Sequence, residues 1–398
     1  MQVTFLTGEY PPMQGGIADH TAHLARYLAP LGVESTVLIS RRWGNTGLPI
    51  PPTPPVQPLV PNWSWRCWPA VAKYLARRQP HVLHIQYQAA AFDLGGWVNW
   101  LPWYLGRRRR GNSKIVTTFH DLRIPYIFPK AGPLRWQAVL ALARHSDAVI
   151  CTNREDMERL SGALGHRRSP IITLIPLGSN VEPQPPVNFN RADLRAKFGA
   201  NDQTLLLAYF GFLNESKGGE ELVEALAALR RQGVNARLLL IGGEVGHADP
   251  TNAAYARRVQ SLIERLELTG AVQRTGYVDL PQVSACLLAA DAVVMPYRDG
   301  VSFRRTTLIA ALRHGCPVVS TWPANPNVIP EIQPGDNMLL APPRNAAALA
   351  QTIAPLATDA TLRGELSRGA KTLGQLFDWS EIAGQTASLY QTVTRRVF

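Results

Sequence analysis

Cysteine is scarce in this 398-residue chain: Cys67, Cys151, Cys286 and Cys316 are all of it. None forms a C-x-x-C pair or shows metal-ligand spacing, which excludes a zinc ribbon and a disulfide framework. Cys151 and Cys286 lie in apolar runs and Cys316 precedes one, so buried free thiols in a reducing cytosol are expected. No apolar run approaches the roughly 18 residues that span a bilayer. The opening MQVTFLTGEYPP enters a strand-like run without the basic region and hydrophobic core of a signal peptide. The dinucleotide fingerprint G-x-G-x-x-G is missing after the first strand, and no Walker A loop occurs. There is also no D-x-D pair of the kind that holds a catalytic metal on a diphosphate. Lysine is scarce beside arginine, so each lysine in a loop stands out.

What is present is a basic, ordinary globular composition. Lys and Arg number 41 against 29 Asp and Glu, a formal charge of +12, which favours anionic partners such as phosphorylated metabolites or membrane surfaces. Charge alone suggests nucleic acid too, but no helix-turn-helix, zinc or RNA-binding signature supports it. The length predicts two domains. Short apolar runs alternate with helix-length stretches: 2–7, 34–40, 82–87, 114–120, 147–152 and 172–177, then 204–211, 236–243, 272–278, 292–297, 317–321 and 337–343. Continuous apolar strands between helices predict parallel sheets covered on both faces. The expectation is an α/β protein of two Rossmann-like, doubly wound domains facing a cleft. The Pro- and Asn-rich segment 181–203 divides it into a first domain, 1–180, and a second, 204–381. The proline-dense stretch 49–61 reads as an extended surface loop. Beyond it, WSWRCW and WVNWLPWYLGRRRR put aromatics beside arginines, the mixture of a membrane interface, of a helix with a buried aromatic face, or of an aromatic-lined acceptor pocket.

Ligands in such folds gather at the carboxyl ends of strands. There the first domain offers Gly15 and Gly16 at the start of a helix, and His120 in TTFHDL. The second offers GFLNESKGG, in which a glycine turn, Lys217 and two further glycines precede a helix, the layout of a phosphate site. It also offers DGVSFRRTT, with Asp299, Ser302, Arg304 and Arg305 in a loop, and Thr306 and Thr307 where a helix should begin. Helix N-termini bind anions through unpaired N–H groups and the macrodipole.

With EYPPMQGGIADHT, HIQY, TTFHDL, IPLG, GFLNESKGGEELVEAL, RTGYV, AADAVVMPY, HGCPVVST, PEIQPGDNMLLAPP and FDWSEIAGQTASLYQTV in this order, the chain resembles a retaining glycosyltransferase of the GT-B fold, family 4 (glycosyl transferases group 1). The resemblance implies a nucleotide-diphosphate sugar, UDP- or GDP-linked, in the second domain and a hydroxyl acceptor (glycan, lipid-linked or small molecule) in the first. It implies that Gly15 and Gly16 approach the diphosphate or the acceptor, that His120 touches the donor sugar, and that Lys217 neutralises the diphosphate. Gly211 and Phe212 would lie by the nucleotide, and Gly276, Tyr277 and Val278 would border its base. A last helix, 382–398, would cross back to the first domain.

The sequence departs from the family in two places. Two glutamates common in the family are replaced by Ser302 and Ala310 when the G-x-P-V-V of Gly315–Val319 is aligned; aligned on the loop D-G, Asp299 stands for the first and would bind a sugar hydroxyl. Many members carry an arginine where this chain has Phe212, so the cation is inferred to have moved to Arg304 and Arg305. With no D-x-D pair, and with a helix N-terminus and basic side chains to hold the leaving diphosphate, the expected reaction is metal-independent and needs no cofactor; the resemblance implies that it retains anomeric configuration. Domain closure would exclude water. The expected location is cytoplasmic, with membrane contact through 63–111 at the inner face left open. Rival readings are a non-catalytic GT-B pseudo-enzyme or sugar-nucleotide-binding partner protein, and an epimerase, whose sequence pattern is not found.

Overall fold

The apolar runs form strands because β-branched and aliphatic side chains can be buried on both faces of a parallel sheet. The structure, a computed structural model, describes residues 1–13, 15–44, 54–107, 113–122, 134–165, 170–243 and 250–395. Two units result, one of Met1–Gly178 with Trp379–Phe398 and one of Ser179–Asp378.

In the first unit the strands are β1 (Gln2–Thr7), β2 (Glu34–Ser40), β3 (Val56–Val60), β4 (Val82–Tyr87), β5 (Lys114–Phe119), β6 (Ala148–Cys151) and β7 (Ile171–Leu174). They lie in the order β3-β2-β1-β4-β5-β6-β7, every pair parallel. The central strand β4 is buried along its whole length, polar His84 and Gln86 included. β3 corrects the expectation of a surface loop at 49–61, of which 49–53 lie outside the described residues. Proline lacks the N–H that an interior ladder needs, and β3 with its Pro58 sits at the sheet edge, where that loss is tolerated.

The last helix, Trp379–Arg395, packs on the first, Gly16–Leu28, and on β5. Its Trp379 is buried against Gly178, where a Cβ would overlap the indole. Its Tyr390 is fully buried and meets His84 of β4. The helix therefore belongs to the first unit by side-chain packing; residues 396–398 of the expected 382–398 lie outside the described residues.

The second unit holds β8 (Leu205–Phe210), β9 (Ala236–Ile241), β10 (Val272–Arg274), β11 (Ala292–Met295), β12 (Val318–Thr321) and β13 (Leu339–Ala341), ordered β10-β9-β8-β11-β12-β13. The segment 181–203 is not a bare connector. Its helix Arg191–Lys197 docks through Arg195, 3% exposed, whose guanidinium reaches Asp291 at 2.9 Å and the carbonyls of Ala289, Asn201 and Thr204.

Candidate active site

In the second unit, residues after β8 and after β11 meet. β8 ends in Gly211, whose φ of +117° is open to glycine and strained for any other residue. A Cβ there would stand 3.2 Å from Lys217 Nζ and 3.0 Å from Thr307 Cγ2, so the three positions converge. Lys217 closes a single 3-10 turn, Glu215–Lys217, and Gly218 follows at φ +69°. Any side chain on Gly218 would run into the Pro296 carbonyl. The turn is braced from the loop after β11. Arg298 donates to Glu215 (3.0 Å), Glu220 (2.8 Å) and Glu221 (2.7 Å), and its backbone N–H donates to Ser216 O (2.8 Å).

The second cation comes from the same loop. Arg305 Nη2 donates to both oxygens of Asp299 (2.8 and 2.6 Å), and its guanidinium lies 4.7 Å from the centroid of the Tyr297 ring. Arg305 is also the N-cap of the helix Thr306–Arg313, which no side chain caps. Ser302 Oγ accepts from the Arg304 backbone N–H at 3.3 Å, which shapes the turn. Phe303, buried against Phe377 at 4.9 Å, anchors it.

Burial, and then the charge of Arg305, pull the Lys217 ammonium down to about 8 from the ordinary lysine value. Among the described residues no carboxylate lies within ion-pair distance of Lys217, and no acceptor takes its N–H groups. The fold has thus assembled two cations beside an uncapped helix start, one of them without a counter-charge. Such a site favours an anion.

Gly211 also joins the expected nucleotide residues. Gly242, at φ +115°, lies within van der Waals reach of it and pairs by an antiparallel bridge with Gly276. Thr275 Oγ1 accepts from the Gly242 N–H at 3.1 Å. Phe212 and Tyr277 are exposed and Val278 half-buried, leaving two rings uncovered at this edge. Arg304 is exposed and Thr306 half-buried. Asp299, expected at a sugar hydroxyl, is engaged with Arg305. Ala310 is fully buried, so that helix position turns into the core.

In the first unit a buried polar chain surrounds His120. Its Nε2 is 2.8 Å from Gln86 Oε1, which fixes the proton on Nε2 and makes the bond a donation to glutamine. His84 bridges Tyr390 (2.6 Å) and Thr118 (2.7 Å) through its two ring nitrogens. The His20 ring meets His120 edge-on, 4.7 Å between centroids, and its Nδ1 is buried without a partner among the described residues. Burial, with mutual repulsion second, pushes His84 and His120 down to about 3 and His20 well below its usual value. All three are neutral near pH 7. Gly15 and Gly16 open the first helix without a side-chain cap. A Cβ on Gly15 would collide with the Glu9 carboxylate, whose pKa burial raises.

Sequence reasoning missed Tyr297, the Arg298 brace, His20, His84 and Gln86. A polar residue inside an apolar strand, as in HIQY, is the one signal that could have exposed the last two.

Two family models match the chain: Glycosyl transferases group 1 over residues 204–359 and Glycosyltransferase Family 4 over 14–182. A Salmonella typhimurium glycosyltransferase named for colanic acid biosynthesis is 31% identical over 188 residues, 46% of this chain and 43% of that one. The chain spans about half the length of the curated relatives it matches. Sucrose-phosphate synthase of Thermosynechococcus elongatus superimposes with a TM-score of 0.72 at 23% identity, covering 98% of each chain. Anabaena HepE, solved in complex with UDP, does so with a TM-score of 0.75 at 17% identity, over 98% of this chain and 100% of that one. At these identities the structural likeness is one of fold.

Proposed function

The chain belongs to the group 1/family 4 glycosyltransferases, with the GT-B fold, and from that premise we propose that it moves a sugar from a nucleotide-diphosphate donor to a hydroxyl acceptor. The observation that carries the donor assignment is the Lys217–Arg305 pair. Two nearby cations, one largely buried and without a carboxylate of its own among the described residues, repel each other and lose hydration. A diphosphate bridging them removes both costs. The likeness to HepE supports a nucleoside diphosphate as that anion.

The reaction in this reading is metal-independent and retaining. The C1–O bond to the diphosphate breaks while the acceptor oxygen bonds C1 from the same face. The acceptor proton passes to the departing phosphate oxygen, and Lys217, Arg305 and the N–H groups of Thr306 and Thr307 take up the charge left on the diphosphate. His120 is neutral and tautomerically fixed, so it suits a hydrogen bond to a sugar hydroxyl and not the role of main base. One observation favours the rival reading of a non-catalytic binder: the buried Ala310 offers no carboxylate to a ribose.

The test is a panel of UDP-, GDP-, ADP- and dTDP-sugars with the purified chain, following melting temperature and slow nucleotide release with EDTA present. Stabilisation with release is the expected result. Stabilisation without release, even when candidate acceptors are supplied, favours the non-catalytic binder. No response to any donor overturns the assignment of the Lys217–Arg305 site. Turnover that needs Mn²⁺ after EDTA overturns metal independence.

A further inference from the structure

We propose that an aromatic and basic face of the first unit docks on an anionic lipid surface. It is built from the start and outer side of the helix Cys67–Arg78 and from the turn Val98–Trp100. Trp65 is 54% exposed, Trp97 42% and Trp100 38%. Three such rings exposed in one neighbourhood mark a candidate interaction surface. Their positions are held. Trp97 and Trp100 flank Val98 and Asn99, which are buried, and the Asn99 side chain accepts from Tyr87 OH (3.0 Å) and donates to Ala138 O (3.2 Å). Trp68 Nε1 donates to Trp97 O at 2.9 Å, tying the turn to the helix. Inward of them lie Trp63, 3% exposed, and Trp68, which meets Trp97 and Trp103 edge-on and Tyr104 at a tilt.

Charge identifies the partner. Between residues 54 and 107 the only carboxylate is Asp93, against Arg66, Lys73, Arg77, Arg78 and Arg107. Arg66, Lys73 and Arg77 recur at helical spacing, and all three are exposed. The Arg66 guanidinium lies 5.9 Å from the Trp65 ring centroid and that of Arg107 4.8 Å from the Trp103 centroid. Indole beside guanidinium matches the boundary of a bilayer, with rings at the acyl–headgroup level and cations at the phosphates. A protein partner of ordinary composition would not call for so one-sided a charge. No helix among the described residues is long and apolar enough to cross a membrane. Arg108, Arg109 and Arg110, part of the same sequence signal, lie outside the described residues.

Flotation of the full chain with phosphatidylcholine vesicles, with and without phosphatidylglycerol, is the test. Co-flotation is expected only with phosphatidylglycerol and should weaken as salt rises. Trp97→Ser with Trp100→Ser, and separately Lys73→Glu with Arg77→Glu, should each lower partitioning about ten-fold or more. Brominated acyl chains should quench tryptophan emission in the native chain and less in the tryptophan variant. All four side chains are exposed, so unchanged circular dichroism and melting serve as the folding control. No flotation overturns the proposal, as does flotation indifferent to both pairs of substitutions. Binding that heparin abolishes and that shows no bromine quenching would instead assign the face to a soluble anionic polymer. Nucleotide-induced stabilisation reads the second unit, so either reading can fail without the other.

Discussion

Arg305 gives one nitrogen, Nη2, to both oxygens of Asp299 while its guanidinium carbon lies 4.7 Å from the centroid of the Tyr297 ring. Nε and Nη1 have no other partner among the described residues. Asp299 is the more exposed member, at 60% for its side chain, so the pair contributes about 1 kcal/mol or less to stability. Its effect is to hold the arginine in place. Asp299→Ala should therefore weaken the bare nucleotide and the nucleotide sugar alike, by about three- to ten-fold, in calorimetric titrations. A loss confined to the sugar-bearing ligand would instead support the sugar-hydroxyl role expected from the alignment.

Lys217 makes stability and ligand binding oppose each other. Its folded pKa of about 8 lies below the unfolded value near 10.4. Below pH 8 the lysine is charged in both states and its burial destabilises the ligand-free protein. As pH rises from about 8 toward 10.4, the folded state sheds the proton first and that cost fades. Lys217→Met should thus stabilise the ligand-free chain by about 1–3 kcal/mol at pH 7. The gain should shrink above pH 8 in denaturant titrations, and the nucleotide-induced rise in melting temperature should disappear.

Binding should carry the same pH signature with the opposite sense. A diphosphate needs Lys217 protonated, so affinity is full below pH 8 and falls about ten-fold per unit above it. Lys217→Arg, whose guanidinium stays charged, should abolish that slope even if its longer fork lowers the affinity itself. Isothermal titration across pH 7 to about 9.5 reads both.

The first unit should be acid-labile through its neutral histidines. His20, His84 and His120 have folded pKa values below the unfolded value of about 6.5. Their contribution is full above pH 6.5 and is lost as pH falls toward 3, because the unfolded chain binds protons that the folded one refuses. Tyr390→Phe leaves His84 Nδ1 unpaired and should cost about 1–3 kcal/mol at pH 7. Urea unfolding of the native chain and the variant between pH 7 and about 4 checks both effects.

Strand runs such as QVTFLT and ARLLLI were legible because burial on both faces demands unbroken apolar residues. The edge strand β3 was not, because its proline is tolerated only at an edge and sequence does not reveal strand order. Lys217 and Arg305 could be singled out as residues of a phosphate site, but their mutual distance could not. Asp299 was matched to a family glutamate by aligning the loop D-G; its ion pair with Arg305, six residues on, is a contact that alignment could not reveal.

By itself the sequence determined two parallel α/β units and the glycine turns and basic residues at their strand ends, since periodicity and backbone constraints are local. Tertiary structure alone decided which of those groups meet. The contact of His84 with Tyr390 spans 306 residues, and the turn bearing Lys217 is braced by Arg298 from another loop. Charge without a counter-ion is a property of packing, because only the folded chain sets which side chains lose water together and which partner, if any, each retains.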